Sequence, residues 1–208
     1  MDNFKAQKIG FKRNHSSIFE NVEIDLQTGE GLVVRGANGS GKSTLLRVLA
    51  GFLESSAGNI QWNKQTIKNT QSFANQMHYL GHQNGLRNAL SVYENLHWYA
   101  TFAGEEINTA KIQGVLDRLQ LAKFWNLRAE KLSAGQARRL AIARLMLVQK
   151  PLWILDEPSA ALDTQSLELL HNLIAEHISK TGIVIIATHE TYFAKLNFAQ
   201  LSLGNIND

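Results

Sequence analysis

Residues 31–53, GLVVRGANGSGKSTLLRVLAGFL, contain the pattern that decides the fold of this 208-residue chain. A short apolar strand (GLVV) leads into the loop of residues 36–44, which matches G-x-x-x-x-G-K-[ST], and apolar residues at helical spacing follow at once. A strand, a glycine-rich loop and a helix in this order form the phosphate-binding unit of parallel α/β sheets. The stretch therefore predicts an α/β fold with a phosphate-binding loop.

The loop itself carries the groups that a nucleoside triphosphate requires. Its glycines let backbone amides curl around a phosphate chain, Lys42 is placed to neutralise the β- and γ-phosphates, and the Ser43 hydroxyl is a candidate Mg²⁺ ligand. A lysine in the first turn of a helix opposes the helix dipole, which favours a bound anion over a simple glycine turn. The predicted nucleotide-binding residues are Gly36, Ala37, Asn38, Gly39, Ser40, Gly41, Lys42, Ser43 and Thr44.

A pair of carboxylates ends a second apolar strand, LWILDEP, at residues 152–158. Asp156 suits the Mg²⁺ shell, directly or through water, and Glu157 is the candidate base that orients or deprotonates an attacking water. The alternative is a pair of solvated acids at a strand end, which is less favoured downstream of a phosphate loop. The two motifs together predict Mg²⁺-assisted hydrolysis of a phosphate chain.

A third motif, LSAGQ, resembles the LSGGQ signature of the ATP-binding cassette (ABC) ATPases, and the other motifs of that family surround it in the family's order. The signature residues are Leu132, Ser133, Ala134, Gly135 and Gln136. The resemblance also implies that Gln83 is the Q-loop glutamine, catalytic and Mg²⁺-binding, and that His189 is the switch histidine. It places Ser159 and Asp163 in the D-loop. It further implies ATP as the nucleotide and a RecA-like parallel sheet core with a small antiparallel β subdomain and an inserted α-helical subdomain.

The chain is predicted to be a single nucleotide-binding domain over residues 1–208. Residues 1–83 and 150–208 form the ATPase core, and residues 84–149, with apolar residues at helical spacing, form the helical subdomain. NVEIDL alternates apolar and polar residues and is predicted to be an exposed strand. QMHYLGHQ is a further predicted strand, IVIIATH is a predicted buried strand, and AGNIQWNKQTI is a predicted strand pair. LDTQSLELLHNLIAEHISKTG is predicted to be a helix that ends at Gly182.

The resemblance implies that two copies of the chain work as a head-to-tail pair, because each signature helix of an ABC pair caps the ATP held by the other subunit. By analogy, Ser133 donates to the γ-phosphate and the Gly135 amide approaches it, at the positive end of a helix. A chain with one copy of each motif is therefore expected to form a homodimer. Ala134 replaces the first glycine of the signature, and because alanine keeps helical geometry we expect it to be tolerated.

The adenine contact is where the sequence departs from the family pattern. ABC ATPases place an aromatic ring against the base from the loop before the first core strand, and here that region reads GFKRNHSS. Phe11 comes early for this contact, which leaves Arg13 or His15 near the expected place. We expect Arg13 to contact the adenine, since a guanidinium can stack on a base.

Longer phrases narrow the resemblance to one branch of the family. GHQNGLRNALSVYENLHWY, KLSAGQARRLAIARL and LWILDEPSAALD are similar to the CcmA-type ATPase subunits of bacterial cytochrome c maturation. This implies a homodimer, peripheral on the cytoplasmic side of the inner membrane, that docks on a CcmB-type membrane subunit with CcmC- and CcmD-type partners nearby. Its ATP cycle would drive haem export or release of a haem-loaded chaperone. Direct haem binding, by His78 or His82 above all, is not expected.

The aromatic segment after Gln83 is the candidate surface for the membrane partner. Most of its large apolar residues are expected in the core of the helical subdomain, and one or two in a groove that receives a cytoplasmic helix of a membrane subunit. The residues concerned are Tyr93, Leu96, Trp98 and Phe102.

The composition excludes several other functions. The chain has no cysteine, which excludes disulfides and thiolate zinc sites, and its net charge of +3 lacks the basic block typical of nucleic-acid binding. No apolar run is long enough to cross a bilayer, so a membrane role is expected to come through a partner. The alternatives left open are the ATPase of a different ABC exporter and, less favoured, a soluble ABC ATPase of DNA repair or translation.

Overall fold

The computed structural model describes residues 2–14, 16–67 and 71–204. The strands in those ranges are β1 (Asn3–Arg13), β2 (Ser16–Gln27), β3 (Gly31–Arg35), β4 (Ala57–Trp62), β5 (Gln65–Thr66), β6 (Met77–Leu80), β7 (Leu152–Asp156), β8 (Ile183–Ala187) and β9 (Ala199–Ser202). The α-helices are α1 (Lys42–Leu49), α2 (Gln71–Ala74), α3 (Val92–Phe102), α4 (Thr109–Arg118), α5 (Ala134–Leu147) and α6 (Thr164–Ser179). Short 3-10 helices cover Ala122–Phe124, Ala129–Lys131 and Tyr192–Leu196.

Five strands form a sheet in the order β6-β7-β8-β3-β9. The pairs β7–β8, β8–β3 and β3–β9 run parallel. β7 and β8 are buried at every residue and β3 at all but its last, which is typical of parallel strands covered on both faces. This confirms the predicted α/β class. Because parallel strands end at one edge of their sheet, the segments that follow β3, β7 and β8 begin side by side.

The second sheet has the order β2-β1-β4-β5, and each pair of neighbouring strands in it runs antiparallel. No strand was predicted from the sequence at the positions of β1 and β9. The pairing of β1 with β4 shifts register between Gln7 and Gly10, and Lys8 has a φ of 51°. Gly58 of β4 has a φ of 82°, and a Cβ there would overlap the carbonyl oxygens of Gln7 and Lys8. The irregular pairing therefore requires glycine at this position of β4.

The chain divides into two compact units. The first comprises Met1–Tyr79, Pro151–Pro158 and Leu173–Asp208, and the second comprises Leu80–Lys150 and Ser159–Asn172. The predicted boundaries instead assigned residues 159–172 to the ATPase core. In the structure this segment contacts α5: Ala161 lies against Gly135, and the start of α6 shares a cleft with Arg139.

Each unit has its own apolar core. In the first, residues from both sheets and from α1 pack together, and the largest fully buried side chains include Phe4, Leu45 and Leu46. In the second, α3 and α4 both pack on α5, and Leu96 and Ile112 are fully buried. Burial of each such side chain contributes roughly 1.5–3 kcal/mol relative to exposure.

The end of α6 corrects one prediction. The helix ends at Ser179 and not at Gly182, since the Gly182 amide turns back to donate to the His177 carbonyl at 2.9 Å. The His177 ring stacks on Trp153 with centroids 3.9 Å apart, and a Cβ at Gly182 would overlap that ring. Glycine is needed here for close packing. Burial lowers the pKa of His177 to about 4, so the imidazole stays neutral at physiological pH.

Among the residues that the structure describes, no helix combines the length and the apolar character needed to cross a membrane.

Candidate nucleotide site

The amino end of α1 is built to receive an anion. Gly41 precedes the helix with a φ of 91°, and no side chain within the described ranges caps the helix or places an acid in its first turn. A Cβ at Gly41 would lie 2.6 Å from Cγ2 of Ile18, so only glycine fits at this position. The first amides of a helix need acceptors, and phosphate oxygens are acceptors that the positive end of the dipole favours.

Lys42 braces the loop from inside. Its side chain is buried, and Nζ donates to the carbonyl oxygens of Gly36 at 2.8 Å and Ala37 at 3.0 Å. An ammonium has three donors, so these bonds leave one for a phosphate oxygen. Ser40 is buried in the same loop, and its Oγ has no hydrogen-bond partner among the described residues. A buried hydroxyl without a partner fits a loop that closes on a polar ligand.

Ser43 and Asp156 meet although 113 residues separate them, because α1 follows β3 and Asp156 ends β7. The Ser43 hydroxyl donates to Oδ1 of Asp156 at 3.1 Å, and Asp156 is 1% exposed. Mg²⁺ in phosphate-transfer sites takes one or two protein oxygens and completes its shell with phosphate and water. A hydroxyl and a carboxylate in contact beside the phosphate loop fit that requirement.

Glu157 follows β7 and contacts His189, which follows β8. The Oε1 of Glu157 lies 3.1 Å from Nδ1 of His189. The Glu157 side chain is mostly buried, whereas that of His189 is 66% exposed. Glu157 has a φ of 46°, held by its amide, which donates to the carbonyl of Ala187 at 2.9 Å. A left-handed glutamate costs about 1–3 kcal/mol, and such strain clusters at functional sites.

The signature residues begin α5 in the second unit. The Ser133 hydroxyl accepts from the Gln136 amide at 3.3 Å, and Gln136 Oε1 accepts from the Ser133 amide at 2.9 Å, which is a capping box. The cap uses the Ser133 oxygen as an acceptor and leaves its proton to donate. Ala134 is the first residue of α5, so its backbone has the ordinary helical conformation that alanine adopts readily. The amides of Ala134 and Gly135 remain at the positive end of the helix.

Gly135 has a role that sequence reasoning missed. A Cβ at Gly135 would lie 2.8 Å from the carbonyl oxygen of Ala161, which lies in the predicted D-loop and has a φ of 63°. The glycine therefore lets the start of α5 lie directly against the predicted D-loop of its own chain. Within that loop Ser159 is buried, and Asp163 accepts from the Ser166 amide at 2.8 Å at the start of α6. Hydrogen bonds from the Ser166 hydroxyl and amide lower the pKa of Asp163.

The other predicted residues are placed as follows. Gln83 lies in the second unit with an exposed side chain, and Arg13 is exposed at the end of β1. His15 lies outside the described residues. Phe11 packs on Phe19, with ring centroids 6.2 Å apart, and is partly buried against the core of the first unit. The fold thus joins Ser43 to Asp156 and Glu157 to His189.

The two candidate haem ligands have ordinary surroundings. His78 is buried in β6, with its ring edge-on to Trp153, and His82 is exposed. Two arginines of α5 hold the segment around Gln83: Arg138 is buried and Arg144 is half-buried. Sequence reasoning did not assign them, although basic residues among the apolar residues of this helix were a signal.

The fold and the site define a P-loop ATPase of the ATP-binding cassette class. The chain belongs to the ABC transporter family, whose model matches residues 19–160, and within it to the cytochrome c biogenesis ATP-binding export proteins named CcmA. It is 41% identical to the CcmA of Rhizobium johnstonii over 187 residues, which are 89% of this chain and 87% of the relative. Membership of this family makes the chain an ATP-binding ATPase.

The chain is also similar to a second CcmA and, in fold, to a solved structure. The CcmA of Vibrio vulnificus is 38% identical over 88% of this chain and 89% of its own length. A solved ABC-transporter ATP-binding protein of Pyrococcus furiosus has the same fold, with a TM-score of 0.83, 24% identity and 97% of each chain covered.

Proposed function

We propose that the residues at the ends of β3, β7 and β8 bind and hydrolyse MgATP. The observation that carries the proposal is the contact of Ser43 with Asp156 beside the loop braced by Lys42. The loop amides and Lys42 bind the β- and γ-phosphates, and Ser43, Asp156 and Gln83 hold Mg²⁺. When bound, the metal neutralises charge on the phosphates. Arg13 is the proposed adenine contact.

In this proposal Glu157 is the base. It accepts the proton of the attacking water, and its left-handed backbone and contact with His189 fix the direction of its carboxylate. His189 is largely exposed and contacts Glu157, and we propose that it also contacts the γ-phosphate. Both side chains come from strand ends of the parallel sheet, which holds them in place.

The signature and D-loop are proposed to act on a second copy of the chain. Ser133 keeps its proton while its oxygen caps α5, so it can donate to the γ-phosphate of an ATP bound by the partner subunit. The amides of Ala134 and Gly135 add donors at the same helix end. Gly135 lies against Ala161, so both motifs are presented together by the second unit. The complete site then requires a homodimer.

Mixed dimers test this pairing. A Ser133→Arg subunit keeps its phosphate loop, and a Lys42→Ala subunit keeps its signature, so a mixed dimer has one site with both parts and one with neither. Random pairing makes half of the dimers mixed, which predicts about a quarter of the wild-type amplitude for single-turnover ATP cleavage, while each variant alone is inactive. Cleavage is measured in a single turnover because one competent site can then be detected even if repeated turnover needs both sites of the dimer. If the mixture cleaves no more ATP than either variant alone, the motifs do not act in trans.

We further propose that the transporter exports haem, or releases a haem-loaded chaperone, in cytochrome c maturation. The support is the identity of about 40% to relatives named as cytochrome c biogenesis export proteins. The chain would lie on the cytoplasmic side of the inner membrane, on a CcmB-type membrane subunit with CcmC- and CcmD-type partners nearby. Haem itself would not contact this chain. ATP-driven export of another cargo is the alternative.

The membrane subunit is proposed to dock on an exposed aromatic pair of α3. Phe102 is 70% exposed and stacks on Trp98 at 5.3 Å, and the Arg87 guanidinium lies 3.8 Å from the Trp98 ring. By contrast, Leu96 is buried and Tyr93 stacks on Trp125 in the helical unit. Tryptophan and arginine dominate binding energy at interfaces, and an apolar cytoplasmic helix would cover the pair.

Deletion of this gene in its native host is expected to abolish covalent haem in c-type cytochromes and to leave b-type cytochromes unchanged. A plasmid copy should restore haem staining.

A plasmid that carries Phe102→Ser should restore less than about a tenth of that staining, because loss of an anchoring side chain weakens an interface by about 2 kcal/mol or more. Phe52→Ser, at a 54% exposed phenylalanine of the other unit, is the matched control. Normal c-type cytochromes in the deletion strain would contradict the haem proposal, and full restoration by Phe102→Ser would contradict the docking site.

A further inference from the structure

Two arginines of α5 hold the segment that carries Gln83. Arg138 is 2% exposed, and its Nη1 donates to the carbonyl oxygen of Gly81 at 2.7 Å and to Oδ1 of Asn84 at 3.1 Å. Arg144 donates from Nη2 to the Asn84 carbonyl at 2.6 Å and from Nη1 to the Gly85 carbonyl at 3.3 Å. The bonds of Arg138 therefore bracket Gln83 on both sides.

These bonds are strong and directional. A guanidinium donates in a fixed planar fork, and its charge-assisted bonds are roughly twice as strong as neutral ones. Arg144 is half-buried, and its desolvation lowers its pKa. Because the partners are mostly backbone carbonyls, α5 fixes the path of the chain on each side of Gln83, while the Gln83 side chain stays exposed.

The other end of the same segment is fixed to α3. The Asn95 side chain is buried and bonds to both the amide and the carbonyl of Arg87, at 2.8 and 3.1 Å. Its amide group also donates to the carbonyls of Leu90 and Ser91. Residues 81–91, which we name the Gln83 segment, are therefore attached to the signature helix at one end and to α3 at the other.

We propose that Arg138 is a positioning residue that couples the signature end of α5 to Gln83. It lies five residues after Ser133, about 7.5 Å along a rigid helix. A displacement of the amino end of α5, when it engages the partner's ATP, moves Arg138 and with it both flanks of Gln83. Nucleotide at one site thereby adjusts the proposed Mg²⁺ ligand at the other. This inference rests on the proposed function, namely pairing in trans and the role of Gln83.

Hydrogen exchange of the Glu157→Gln variant, measured with ATP, where it is expected to form the closed dimer, and without ATP, tests the coupling. In that background we expect ATP to slow exchange at the amino end of α5 and, by about five-fold or more, in the Gln83 segment. Adding Arg138→Gln should keep the response at α5 and reduce that of the Gln83 segment to less than about two-fold. Arg139→Gln is the matched control, because the Arg139 guanidinium donates to the Leu119 carbonyl at 3.3 Å, outside the segment. This control should respond like the parent.

The outcomes separate the two proposals. If α5 gains no protection with ATP in the parent dimer, pairing in trans is wrong and the coupling falls with it. If α5 is protected and the Gln83 segment responds equally with and without Arg138→Gln, pairing stands and the coupling is wrong. Should Arg138→Gln fail to fold, Asn84→Ala is the second variant. It removes the hydrogen bond from Arg138 to Asn84 and keeps the one to Gly81, and it should also weaken the protection of the Gln83 segment by ATP.

Discussion

Lys42→Ala is expected to lower the affinity for ATP by at least about 100-fold. The ammonium is a charged donor to the phosphates, and each charge-assisted bond contributes about 1.5–3 kcal/mol. The substitution also removes the bonds to the carbonyls of Gly36 and Ala37, which brace the loop in a shape that receives phosphate. Two such contacts amount to about 3–6 kcal/mol, or about two to four orders of magnitude in the dissociation constant. Isothermal titration calorimetry with a non-hydrolysable ATP analogue measures this dissociation constant.

Lys180→Ala is the control for this change. It removes the same ammonium from an exposed lysine that pairs with Glu176 at the end of α6, so ATP affinity should remain at the wild-type value. The thermal unfolding of both variants establishes that each is folded. A dissociation constant for Lys42→Ala within about three-fold of the wild type would contradict the placement of phosphate on this loop.

Glu157→Gln is expected to slow steady-state hydrolysis by about 10²–10⁴-fold, the usual contribution of a general base. The amide keeps the shape of the carboxylate and a hydrogen bond to His189 but cannot accept a proton. ATP affinity should be retained, since Glu157 is not among the proposed phosphate-binding groups. ATP should therefore accumulate in a closed dimer, visible by size-exclusion chromatography as a doubled mass in ATP and not in ADP.

Glu190→Gln provides the comparison for Glu157→Gln. Glu190 follows His189; its backbone amide donates to the Thr188 hydroxyl, and its carbonyl accepts from the Arg35 guanidinium. Its substitution should leave turnover within about two-fold of the wild type, because it changes charge beside the site without touching the proposed base. Turnover of Glu157→Gln within about ten-fold of the wild type would remove Glu157 as the base.

Much of the fold of both units could be predicted because the signals are local. The strand-loop-helix of residues 31–53, the continuous apolar strands β7 and β8 and the helical spacing of α5 each depend on neighbours in the chain. A strand that is apolar at every position must be buried on both faces, so the apolar runs of β7 and β8 also predict strands in the middle of a parallel sheet. β1 was missed because its outward residues and its irregular pairing near Lys8 hide the alternation.

By itself, the sequence determined which chemical groups this protein has and on which kind of element each lies: the phosphate loop, the acids after β7, the signature at the start of α5. Only the tertiary structure decided which of them meet. Ser43 contacts Asp156, Glu157 contacts His189, Gly135 lies against Ala161 and Arg138 brackets Gln83. The physical reason is that spacing along a chain sets local geometry, whereas contacts between residues 26 to 113 positions apart follow from strand order and helix packing.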